Sequence, residues 1–133
     1  MKRFLWTALA SVAIVTSANA QKAQFPDTPQ GKLAAGFFAA VGAPDETALA
    51  RFQEANFSEA ALKRRSPEER LERNRGIREQ VGALSLLEVK SATETQLVAT
   101  ARGANAADYV LTVTFTFTAG PAPKIDAVQI SGS

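Results

Sequence analysis

Residues 108–118 read Asp-Tyr-Val-Leu-Thr-Val-Thr-Phe-Thr-Phe-Thr. In an extended chain Tyr109, Leu111, Val113, Phe115 and Phe117 fall on one side, and Thr112, Thr114, Thr116 and Thr118 on the other. A period of two, written in β-branched and aromatic residues, marks a strand with one buried face. The segments on either side, 103–107 and 119–123, carry Gly, Asn and Pro, which favour turns. Alternation returns over Ala83–Val89, Thr95–Arg102 and Lys124–Ser131. Four strands joined by short turns predict an antiparallel meander.

Before Gly82 the period is helical. Thr28-Pro29 reads as an N-cap followed by proline at the first helical position. Leu33, Gly36, Phe37, Ala40 and Val41 then recur at helical spacing on one face, and Gly42 with Pro44 ends the run. Asp45 is placed to cap a second helix over Glu46–Glu54, with Leu49 and Phe52 inward, and Ser58 to cap a short third. Ser66-Pro67-Glu68-Glu69 has capping-box spacing, which starts a fourth helix that runs to about Val81 and is closed by Gly82. Its apolar stripe is thin, made of Leu71, Ile77 and Val81 with Asn74 on the same line. Helices first and strands after them predict an α+β fold: N-terminal helices followed by a four-stranded antiparallel sheet.

The N-terminus reads as a signal peptide over residues 1–20. Lys2 and Arg3 precede an apolar run from Phe4 to Val15, and Ala18-Asn19-Ala20 supplies a small-residue cleavage site. The run is too short for a membrane span, which needs roughly 20 apolar residues. Cleavage after Ala20 leaves one domain, 21–133, exported to the periplasm or secreted, with no stable membrane anchor. Two of the 15 basic side chains lie in the signal, so 13 remain against 13 acidic ones. A balanced charge argues against nucleic acid as a partner.

Composition excludes several chemistries. The chain has no His and no Cys, so a Ser-His-Asp triad, a thiol nucleophile, a zinc–thiolate site and a disulfide framework are all ruled out. No Gly-rich phosphate loop or calcium loop is present, and no cofactor or metal is expected. Glu88 and Asp126 could approach across strands as an acid–base pair, with Tyr109 as the lone tyrosine, but strand-edge residues facing water explain them more simply. The run from Lys63 to Glu79 holds Lys63, Arg64, Arg65, Arg70, Arg73, Arg75 and Arg78 among four glutamates. It reads as a solvated helix face, internally paired through Glu69–Arg73 and Arg75–Glu79.

Phe25-Pro26-Asp27-Thr28-Pro29 with Gly31, Asn56-Phe57-Ser58, Ser66-Pro67-Glu68-Glu69-Arg70 and the strands ending in Ile125 resemble nuclear transport factor 2-like (cystatin-like cone) domains. More narrowly, they resemble the small domain that precedes serine-hydrolase or tail-specific-protease modules in some exported bacterial proteins. The catalytic module of those longer relatives is not part of the matching stretch. The resemblance implies a bent sheet wrapped around helices, an internal pocket in many members, and dimers through the outer sheet face. The expectation is a non-catalytic accessory or binding domain for a small apolar ligand or a partner protein. Its pocket candidates are Asn74 and Tyr109 as polar groups, with Phe37, Phe115 and Phe117 as walls. The alternatives are a cofactor-free isomerase or dehydratase using a pocket carboxylate and Tyr, and a structural domain that forms a homodimer through the Thr-rich face.

Overall fold

The computed structural model describes residues 23–132; the expected signal peptide and its cleavage point lie outside them. Four helices, α1 (Pro29–Gly42), α2 (Ala48–Asn56), α3 (Glu59–Lys63) and α4 (Pro67–Gln80), precede four strands. The strands are β1 (Leu84–Ala92), β2 (Gln96–Gly103), β3 (Ala106–Phe117) and β4 (Ile125–Gly132). They form one open antiparallel sheet in the order β1-β2-β3-β4, so β1 and β4 are its two edges. The chain is α+β, as the change of period at Gly82 implies. Among the described residues no helix is long and apolar enough to cross a membrane.

Local chemistry sets most of the element ends. The Thr28 hydroxyl accepts from the Gly31 amide, and Pro29 occupies the first turn of α1. Ser66 and Glu69 complete the reciprocal capping box of α4, at 3.2 Å and 2.8 Å. Gly82 closes that helix in the left-handed region at φ 74°, where a side chain would be strained. Two helix ends differ from expectation. The Asp45 carboxylate accepts from the Thr47 amide and hydroxyl, which stabilises a turn and delays α2 until Ala48. At the end of α1, Gly42 stays helical, and the break is made by Ala43, whose extended conformation suits the residue before a proline.

The core lies between α1 and the inner face of the sheet. Phe37 meets Phe115 edge-on with centroids 5.5 Å apart, and Phe38 sits edge-on to Phe25 at 4.9 Å. Leu97, Ala99 and Ala101 of β2 oppose Phe115, Val113 and Leu111 of β3, and all six are buried. Ala99 and Ala101 have small side chains, which leaves room for the phenylalanines of α1 to descend on the sheet. The opposite face carries Val98, Thr100, Thr112, Thr114, Thr116 and Gln129, each at least partly open to solvent.

Candidate functional site

α4 packs on α1 and α2, whereas α3 is the helix that touches β4. Between α4 and β4 a cleft of about 570 Å³ remains, within the range of ligand sites. Its two long walls are α4 with its C-cap, through Arg70, Arg73, Asn74, Ile77, Gln80 and the capping Val81, and the consecutive β4 residues Asp126 to Ile130. The residues of the first wall recur at i, i+3, i+4, i+7, i+10 and i+11, one helical face. Phe37 and Phe57 contribute apolar floor, and Arg64 and Arg65 join Arg70 and Arg73 at one end.

Gln53 of α2 and Asn74 of α4 meet in the wall of this cleft. Gln53 Nε2 donates to Asn74 Oδ1 at 3.0 Å, and Asn74 Nδ2 donates to Gln53 Oε1 at 2.9 Å. Both side chains are buried, with relative exposures of 6% and 2%. The reciprocal pair leaves each amide with a second N–H that has no partner among the described residues.

Among the described residues Asp126 is the one carboxylate lining the cleft. The Ser58 hydroxyl donates to its Oδ1 at 2.7 Å while accepting the Ala61 amide, so one hydroxyl both caps α3 and ties it to β4. Arg64 reaches the other carboxylate oxygen at 3.3 Å and the Asp126 carbonyl at 2.6 Å. The Ser58 hydrogen bond is the largest effect and holds the carboxyl below its ordinary range; burial opposes it as the next largest, and the Arg64 contact adds a smaller lowering. At neutral pH Asp126 is therefore a carboxylate with its acceptors engaged, an arrangement unsuited to a general acid. Arg70 donates to the Leu62 and Arg65 carbonyls at 2.8 Å and 2.7 Å. Arg65 and Arg73 form no ion pair among the described residues.

The five residues singled out from the sequence do not share one pocket. Phe37 and Asn74 line the cleft. Phe115 and Phe117 are core residues, stacked at 6.1 Å beneath the helices. Tyr109 is 56% exposed, although its alternation matches the buried face. The β2–β3 register explains this: Ala101 opposes Leu111 but Gly103 opposes Ala106, so β3 has extra residues there and Tyr109 falls in the irregular stretch with no β2 partner. Glu88 and Asp126 sit on opposite edge strands, about 14 Å apart at three strand spacings, so they form no acid–base pair. The expected ion pairs within α4 are replaced as well. Glu69 is taken by the Ser66 amide, and Arg75 reaches Glu46 at 3.7 Å.

Gln53, Phe57, Val128 and Ile130 carry no sequence signal as site residues; Arg64, Arg65 and Arg73 are exposed, as their charge run implies, and also line one end of the cleft. Two sequence signals point here: Asn74, a polar residue on an apolar stripe, and Phe37 on the apolar face of α1. Among the described residues no three carboxylates converge as a metal-binding group. No family model, curated protein or solved structure matches the chain.

Proposed function

We propose that the protein is an exported, non-catalytic binding module whose ligand seats in the cleft between α4 and β4. One observation carries this: the cleft has an apolar floor and an arginine-lined end, and its single carboxylate is already engaged by Ser58 and Arg64. The surroundings favour a ligand with an apolar body and a negative charge. They do not favour proton transfer, since no second titratable acid or base accompanies Asp126 and the lone tyrosine lies elsewhere. Register shifts in all three strand pairs support the cone form of the fold, because bulges bend a sheet. Native mass spectrometry of the protein recovered from exporting cells tests the reading. The expected spectrum has a chain beginning at Gln21 with extra mass that is lost on denaturation and absent from a Gly76→Leu variant. Bound mass that survives this filling of the cleft would place the ligand elsewhere.

Self-association through the outer face is a second reading. The contiguous, uncharged surface of Val98, Thr100, Thr112, Thr114 and Thr116 supports it, since charged residues are depleted from interface cores. Sedimentation that stays monomeric from micromolar to millimolar concentration would count against it.

A further inference from the structure

Among the described residues no strand pairs with the outer edge of β4, and the backbone there faces the cleft. The Phe117 amide donates to the Thr95 carbonyl, so odd-numbered β3 residues bond toward β2. In an antiparallel ladder the groups alternate, so Thr112, Thr114 and Thr116 bond to their β4 partners Ser131, Gln129 and Ala127. The N–H and C=O groups of Val128 and Ile130 must then point away from β3, to the open edge. Their side chains share the inner face with Phe115 and Val113, toward the helices.

The start of this edge is already paired. Phe57 and Ile125 form a parallel bridge, and the Ser58 amide donates to the Ile125 carbonyl at 2.9 Å. Past that point no described residue pairs with the edge, and α4 runs beside it in the same direction. At one end Arg64 holds Asp126 and Arg70 holds the chain just before α4. At the other, Asn105 bonds the Arg78 and Glu79 carbonyls, which ties the end of α4 to the β2–β3 hairpin near the Leu111–Gly132 pair. An edge strand and a helix enclosing an elongated groove is the setting for peptide binding by strand addition.

Gly76 is a further sign of space kept for a chain. It lies in the middle of α4 and lines the cleft, and a Cβ there would meet nothing within 4 Å. The fold does not need this glycine for packing or for φ, and it weakens the helix. A glycine is suited to the close approach of another backbone.

We infer that the cleft takes an extended peptide segment, apolar in its middle and acidic at one end, which adds to β4 as a fifth strand. This rests on the binding-module reading above and specifies its ligand. The peptide exchanges backbone hydrogen bonds with Val128 and Ile130. Its inward side chains lie against Ile77 and Phe57, and its acidic end meets Arg65 and Arg73. The spare N–H groups of Gln53 and Asn74 are donors for polar groups that turn inward.

The test uses fluorescein-labelled peptides of about seven residues, enough to span the free edge. They alternate valine and threonine and carry two aspartates at one end or the other, and a matched set carries lysines. Anisotropy should show binding of an aspartate peptide, weakened by about tenfold or more by Arg73→Glu or by N-methylation of the residues that face β4. Hydrogen exchange at the Val128 and Ile130 amides should slow when that peptide binds. Gly76→Leu should abolish binding while leaving the melting temperature unchanged or higher. If no aspartate peptide binds but decanoate does, and Gly76→Leu blocks it, the cleft is a binding site and the added strand is wrong. Peptide binding without protection of the two amides overturns the strand in the same way. If neither peptide nor decanoate binding responds to Gly76→Leu, both readings fail.

Discussion

Gln53 and Asn74 show how a residue outlier is explained by a partner far away in sequence. A buried amide that loses its partner keeps its desolvation cost, whereas removing both amides takes that cost away. Asn74→Leu alone is therefore expected to destabilise by about 1–3 kcal/mol, by orphaning Gln53. Gln53→Met combined with Asn74→Leu should recover most of the loss, and urea unfolding of the two single variants and the double variant measures the coupling. Additive losses would mean the reciprocal pair contributes nothing. Tyr109 teaches the converse. Its alternation with Leu111 is plain in the sequence, but a three-residue change of register in the β2–β3 pairing displaces it. Register depends on both strands at once, so it could not be read from β3.

At the scale of elements, α4 is held by its ends and is weak in its middle. Its start has proline in the first turn and a complete capping box, and Ser66→Ala should cost about 1 kcal/mol. Gly76→Ala should stabilise by about 0.5–1 kcal/mol, because the new methyl meets nothing and Ala is the better helix former. Thermal unfolding of both variants checks the pair, and a Gly76→Ala variant less stable than the parent would show a hidden steric demand. The start of α4 was legible because capping is a matter of four consecutive residues. Arg73 and Arg75 on its face are open to solvent, as a charge run implies, and so is Arg65 just before it. Whether such a face also borders a groove depends on where β4 lies, and β4 is some fifty residues later.

Across the whole molecule, three carboxylates among the described residues are held below their ordinary range as hydrogen-bond acceptors: Asp45 and Glu69 at helix starts, and Asp126 where α3 meets β4. Thr47 and Arg51 lower Asp45 to about 2, the Ser66 backbone amide lowers Glu69, and the Ser58 hydroxyl lowers Asp126. A depressed pKa means the unfolded chain binds protons first as pH falls, so the folded state loses stability there. Stability contributed by these groups is complete above their ordinary values of 3.8 and 4.5 and declines as pH drops through the lowered ones. Urea midpoints should be level above about pH 5 and fall toward pH 2. Asp126→Asn should flatten part of that fall, and an unchanged slope would show that the Ser58 contact does not favour the carboxylate.

The sequence by itself determined the class of fold, the order of its elements and the chemistries its composition rules out. Hydrophobic period, caps and turn residues act over a few neighbours, so they survive translation from text to structure. Only the tertiary structure decided that α4 stands off β4, that Gln53 finds Asn74, and that Val128 and Ile130 turn their backbones to an open edge. Those are relations between segments some twenty to sixty residues apart. They are set by strand register and by how helices pack over a sheet, which no local pattern encodes.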